Sequence, residues 1–169
     1  MRQLIHIAFA LALAFVTSSA SLAGNLPVPV GKIILTIKGE IEHTNRNGQA
    51  EFDRKLLENL DQSTLQTSTP WTDGPQQFEG TSGKKLLEAV GAQGQWVEAI
   101  ALNDYKITIP INDFYSYPLL FATRMNGKQL RVRDKGPVWI VYPQDDYPEL
   151  KRAEIHKNWA WQLKELIIK

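Results

Sequence analysis

Beyond residue 30 the spacing of apolar positions alternates between strand-like and helix-like periods. "KIILTIKGEI" (32–41) is β-branched and apolar and predicts a strand ending near Gly39. "NRNGQ" (45–49) is a loop. Across 50–60, Phe52, Leu56 and Leu60 share one helical face with Leu57 beside them, which predicts a short helix. "STLQTST" (63–69) has β-prone threonines, and "PWTDGP" (70–75) is a loop. "TSGKKLLEAVGA" (81–92) predicts a second helix, capped by Thr81 or Ser82 and stopped by Gly91. From residue 96 the pattern turns β-rich. "WVEAIAL" and "YKITIP" read as strands around Asn103-Asp104, and "INDFYSYP" (111–118) as a helical turn ended by Pro118. "LLFATRM" and "KQLRVR" flank Asn126-Gly127, a two-residue hairpin signal, because both residues tolerate positive φ. "PVWIVYP" is a near-continuous apolar strand of the buried kind. "QDDYPELKR" is irregular. "WAWQLKELIIK" places Trp159, Trp161 and Leu163 on one face if extended, with a helix as the alternative. The fold class expected is α+β, β-rich, in one domain.

The amino terminus has a separate logic. Arg2 is followed by an apolar run from Leu4 to Val16, broken only by His6, and then by small residues to Ala23. This is the layout of a secretory signal peptide over 1–23, with a cut after Ala23 or, alternatively, Ala20. The run is shorter than the roughly 20 residues that span a bilayer, and no other segment is apolar enough to cross a membrane. The expected location is therefore periplasmic or secreted, and the expected domain is 24–169.

Cleavage removes Arg2 alone among the charged residues, leaving Lys+Arg equal to Asp+Glu at 18 each. That balance argues against nucleic acid as a partner and gives no support to a basic membrane-surface protein. The chain has no cysteine, which removes thiolate catalysis, zinc–cysteine sites and iron–sulfur clusters. His43 and His156 alone remain after cleavage and form no metal-ligand pattern.

Few segments carry chemistry. "GTSGKK" (80–85) has two residues between its glycines where a phosphate loop needs four, so it reads as a helix start. Asp145-Asp146, between Pro143 and Pro148, reads as a solvated turn rather than an acid/base pair. Of the five tryptophans, four suit core packing, whereas Trp71 sits in a Pro/Gly loop where it can line a pocket. In "RVRDKGPVWIVYPQDD" (131–146), Arg131, Arg133 and Lys135 alternate. On an extended strand they project from one face, with Asp134 pointing the other way. An arginine fork suits phosphate or carboxylate. The plainer alternative is an exposed hairpin arm whose acidic partners lie elsewhere.

"FEGTSGKKLLEAVGA" (78–92), "ALNDYKITIP" (101–110), "MNGKQLRVRDKGPVWIVYP" (125–143) and "WAWQL" (159–163) occur in an order that resembles the molybdopterin-binding domain of sulfite-oxidase-type oxidoreductases. The likeness is nearer still to small exported bacterial proteins carrying that domain, and it runs from about Lys32 to Ile168. Phe78 and Gly80 match the family's aromatic-x-Gly entry to a helix, although Gly83 stands where a leucine is usual. Asp104-Tyr105 approaches the family's Gly-Tyr. Gly127 and Arg131 match its His-Gly-x-Pro-x-Arg hairpin, with Asn126 for the histidine and Gln129 for the proline. Gly136 and Trp139 echo its later Gly and Lys-Trp elements, without the lysine. The resemblance implies a sulfite-oxidase-type fold with several small sheets, short helices and a β-grasp-like part.

The resemblance also implies a molybdenum ligand that is missing. Catalytic family members hold the metal by a cysteine in the region matching Gln66–Thr69, which here holds only Gln, Thr and Ser. An alcohol is a poor replacement for a soft thiolate. Exported molybdenum enzymes of this kind cross the membrane folded under a twin-arginine signal, and this terminus has Arg2 alone, as in a general secretory signal. The resulting expectation is a periplasmic, non-catalytic relative with no bound cofactor, although molybdopterin is what the family would suggest. Its partner would be a small anionic ligand or a periplasmic protein. Trp71, Asn103, Asp104, Tyr105, Arg131, Arg133 and Lys135 are expected to line its pocket. The alternatives are a molybdopterin-dependent oxidoreductase whose pterin dithiolene holds the metal without a protein thiolate, and a structural or interaction subunit of an envelope signalling or redox system.

Overall fold

The computed structural model describes residues 26–169, so the segment read as a signal peptide lies outside the described residues. The first sheet has the strand order β2-β1-β10-β5-β6. It is built from β1 (Ile33–Gly39), β2 (Ala50–Asp53), β5 (Trp96–Ala101), β6 (Lys106–Pro110) and β10 (Leu163–Ile168). Its centre is the parallel pair β1–β10, in register Thr36 with Glu165 through Gly39 with Ile168; the other neighbours are antiparallel. Leu35 and Ile37 of β1 and Leu166 and Ile168 of β10 are buried, as a half-buried strand requires.

The second sheet runs β3-β4-β7-β8, with β9 also pairing β7. Its strands are β3 (Ser63–Thr67), β4 (Gln76–Ser82), β7 (Leu120–Met125), β8 (Lys128–Gln129) and β9 (Trp139–Val141). All three residues of β9 are buried, as the continuous apolar run predicts. A Cβ at Gly80 would overlap the Phe121 carbonyl, so glycine there lets β4 and β7 approach. Four short helices connect the strands: α1 (Arg54–Leu60), α2 (Gly83–Val90), α3 (Ile111–Ser116) and α4 (Ala153–His156). Among the described residues, no helix is long and apolar enough to cross a membrane.

Three local expectations are corrected. The first is the helix over 50–60, which begins only at Arg54. Ala50–Asp53 pair with β1, and Asp53 caps α1 by accepting from the Leu56 N–H at 2.8 Å. The second is the cap of the helix at 81–92: Ser82 holds the N-cap position of α2 but makes no side-chain capping bond, and Thr81 lies within β4, donating its hydroxyl to the Leu57 carbonyl at 2.7 Å. The third is the extended arm over 130–133. Val132–Asp134 form a 3₁₀ turn, because the Asp134 and Gly136 N–H groups both return to the Arg131 carbonyl. Asp134 therefore does not point away from the cations. It accepts from Arg131 Nε at 2.7 Å.

The helix end, the hairpin and the carboxy-terminal strand follow expectation, whereas Asp145, read within a solvated turn, accepts from Ser68 and pairs with Lys151. Gly91 ends α2 at φ 61°, and Asn126-Gly127 turn the β7–β8 hairpin at φ 52° and 72°. The carboxy terminus is extended, not helical.

Candidate functional site: an indole-lined cavity

Four tryptophans from three distant segments meet at one end of the fold. Trp71 comes from the loop after β3, Trp139 from β9, and Trp159 and Trp161 from the chain entering β10. The Trp71 ring centroid lies 4.9 Å from Trp161, 6.0 Å from Trp159 and 6.4 Å from Trp139, all tilted or edge-to-face. Such geometry suits the ring quadrupoles. Phe78 continues the cluster into the core, edge-on to Trp139 at 5.3 Å. Trp139 and Trp159 are buried, Trp161 is half-buried, and Trp71 remains 38% exposed at the top of the group.

Beside this cluster is a cavity of about 290 Å³, lined by Trp71, Trp159, Trp161, Tyr105, Asn103, His156 and Lys157. The turn carrying Asn103 and Tyr105 is held by its own chemistry. Asp104 takes φ 63°, and the Asn103 side chain accepts from the Tyr105 N–H at 3.2 Å. The Tyr105 hydroxyl donates to the Lys157 carbonyl at 3.3 Å, closing one side. The indole N–H groups of Trp139 and Trp159 are buried without a hydrogen-bond partner among the described residues. An unmet buried donor costs about 1–3 kcal/mol; of these two indoles, Trp159 lines the cavity and Trp139 belongs to the adjoining cluster.

The expected site residues divide. Trp71, Asn103 and Tyr105 are brought together at the cavity. Lys135, at φ 73°, places its ammonium 5.2 Å from the Trp161 ring centroid and 5.6 Å from that of Trp139, a cation–π contact with the same cluster. Asp104 turns away from the cavity to Lys164 at 2.7 Å; that lysine holds its carboxyl below the usual range. Arg131 lines a separate groove, and Arg133 is exposed beside Asp134. His156, Trp159 and Trp161 were not among the expected site residues. The tryptophans read as one core-facing stripe, and a lone histidine carries no pattern. Their sequence signal is the spacing of "HKNWAW" directly ahead of a strand.

Gln66–Thr69 is the segment that the resemblance matches to the family's metal-binding cysteine. Ser68 donates its N–H to Asp145 Oδ2 and its hydroxyl to Oδ1, both at 2.6 Å. These bonds, the hydroxyl's first, hold the Asp145 carboxyl below its usual range. The Thr67 hydroxyl oxygen accepts from the Asp145 N–H at 3.3 Å, and the Thr69 hydroxyl pairs with that of Thr72 at 2.9 Å. Gln144 donates to the Ser68 carbonyl at 2.9 Å, and its amide oxygen faces His156 Nε2 at 3.1 Å. Each hydroxyl of the segment thus has a partner within the protein. No group of three or more His, Cys, Asp or Glu suited to a metal occurs among the described residues. With hard, engaged alcohols in place of a thiolate, these residues do not fit a protein-ligated molybdenum.

No curated protein matches the chain. Among solved structures, the sulfane dehydrogenase SoxCD from Paracoccus pantotrophus superposes with a TM-score of 0.59 at 18% sequence identity. The match covers 79% of this chain and 37% of that one, so the chain spans well under half of the SoxCD chain, and the likeness is one of fold. The model of the oxidoreductase molybdopterin binding domain matches residues 35–145, which include both sheets' early strands, the Ser68 segment and the Trp71 loop. The chain belongs to the oxidoreductase molybdopterin binding domain family.

Proposed function

We propose that this chain is a non-catalytic relative of that family, exported to the periplasm or secreted. In this reading it binds a small planar anionic molecule in the indole-lined cavity. The observation that carries the reading is the wall itself: three indoles and a phenol border one cavity, with Trp71 partly open to solvent. Flat aromatic surface of this kind binds planar rings by stacking, and Lys157, a lining residue, carries the cation that this reading assigns to an anionic substituent. The absence of chemistry in the reading rests on Ser68. Within Gln66–Thr69, the segment the resemblance matches to the family's metal-binding cysteine, the Ser68 hydroxyl is already donated to Asp145.

Titration with anilinonaphthalene sulfonate, a planar aromatic anion, tests the binding site through energy transfer from tryptophan. Saturable binding at one site is expected, weakened about tenfold or more by Trp71→Ala, in line with about 1–3 kcal/mol for a stacked ring. Trp96→Ala, exposed at the start of β5 and outside the cluster, leaves it unchanged. No binding, or binding indifferent to Trp71→Ala, contradicts the assignment.

Family membership favours a second reading, a molybdopterin-dependent oxidoreductase in which the pterin dithiolene alone holds the metal. Near-stoichiometric molybdenum in protein from the natural host supports that reading over the first.

A further inference from the structure

Arg131, which the cavity does not use, lies on a second and larger concavity of about 770 Å³ between the start of β1, the start of α1 and the 3₁₀ turn. Three exposed large apolar side chains border it: Val30 (93% exposed), Val132 (51%) and Leu102 (44%). Isolated exposed apolar residues are ordinary, but three on one concave surface form a patch of the kind that partners cover.

The charges around the groove are one-sided. Lys32, Lys55, Arg131, Arg54 and Lys164 face two carboxylates, Asp53 and Glu165. Both carboxylates are occupied. Asp53 accepts from the N–H groups of Val30, Gly31 and Leu56, and Glu165 pairs with Lys38 at 3.0 Å. Arg54 and Lys164 are likewise engaged, with Glu58 and Asp104. Lys32 and Lys55 have no salt bridge among the described residues, and Arg131 uses only its Nε on Asp134. Because the chain from residue 24 onward carries no net charge, this local excess is a feature of the groove and not of the whole surface.

We propose that this groove docks an extended acidic segment of a partner protein. Its apolar side chains would cover Val30, Leu102 and Val132, and its carboxylates would meet Lys32, Lys55 and the free edge of the Arg131 guanidinium. Charge complementarity selects the acidic partner. Concavity and interspersed apolar positions select a peptide segment over a membrane, which a basic amphipathic helical face would suit better. The site is independent of the indole cavity, although the two meet at the turn from Leu102 to Tyr105 and share no lining residue.

The test is fluorescence anisotropy on the full exported chain with a labelled peptide that alternates glutamate or aspartate with leucine or valine. Binding is expected at low salt and weakens as ionic strength rises. Lys32→Glu combined with Lys55→Glu should weaken it about tenfold or more, and Val132→Asp comparably. Near-ultraviolet circular dichroism and the melting temperature should stay close to wild type in these variants, which shows that they fold, and unchanged anilinonaphthalene sulfonate binding separates this site from the cavity. The proposal is overturned if the peptide does not bind, or if the charge-reversed variant binds it equally. It is also overturned if an all-glutamate peptide binds as well as the alternating one, if anionic lipid vesicles bind in its place, or if sedimentation shows a self-associated dimer that Val132→Asp dissociates.

Discussion

Ser68 gives Asp145 both of its donors, the backbone N–H and the hydroxyl, each at 2.6 Å and each to a different carboxylate oxygen. The two residues are far apart in sequence and tie the end of β3 to the turn after β9. The clamp falls within Gln66–Thr69, the segment that the resemblance matches to the family's metal-ligand region, and makes that segment a structural joint.

Breaking the joint should show in stability and in its dependence on pH. The Ser68 bonds depress the Asp145 carboxyl in the folded state, so its contribution is complete above the ordinary carboxylate range. That contribution is lost as pH falls below about 4, through the folded-state value. Asp145→Ala should lose about 1–2 kcal/mol at neutral pH, the scale of a charge-assisted pair of bonds partly open to water. Urea unfolding should show the gap between wild type and variant closing in acid. A gap of equal size across the whole range would contradict this account.

Asp113 predicts the opposite sign. Burial raises its carboxyl above the usual value, and the bond it accepts from the Tyr142 hydroxyl at 3.0 Å only partly offsets that. A raised carboxyl favours the fold below its unfolded value, and that advantage disappears as pH rises through the folded one. Asp113→Asn keeps an acceptor for Tyr142 and removes the charge. It should therefore be more stable than wild type at neutral pH, with the difference shrinking on acidification. The same urea series measures it.

The aromatic cluster should separate into a structural half and a recognition half. Trp139 is fully buried and edge-on to Phe78, so Trp139→Ala should cost about 3–5 kcal/mol. Trp71 keeps 38% of its surface exposed, so Trp71→Ala should lower the melting temperature far less while weakening dye binding. Thermal denaturation of the two variants side by side makes the comparison.

Lys135 isolates the cation–π contact. Its φ of 73° is tolerated by asparagine, so Lys135→Asn removes the ammonium over Trp139 and Trp161 without adding backbone strain. A loss of about 0.5–1 kcal/mol in chemical unfolding is expected, with a change in tryptophan emission.

Local chemistry made much of this fold readable. Asn126-Gly127 set its hairpin through backbone tolerance of positive φ, Gly91 ended α2 for the same reason, and the short apolar run at 138–142 read as the buried strand it is at 139–141. What escaped the sequence was non-local. The parallel pairing of β1 with β10 joins the two ends of the domain, and nothing within either segment announces its partner. The strand Gln76–Ser82 was hidden because Thr81 and Ser82 look like helix caps, whereas pairing with β3 and β7 claims them first. At the site, the loop context of Trp71 pointed to the cavity. The alternation of Arg131, Arg133 and Lys135 suggested a single face, but that face needs an extended backbone, and the 3₁₀ turn sends the three cations to a groove, to solvent and to the indoles.

The most direct test of the central claim is elemental and pterin analysis of this protein isolated, at native abundance, from the organism that makes it. A non-catalytic relative whose cavity takes a planar anion should carry molybdenum and pterin far below one equivalent per chain and retain binding of that anion. Molybdenum approaching one equivalent, released together with a pterin, would contradict it.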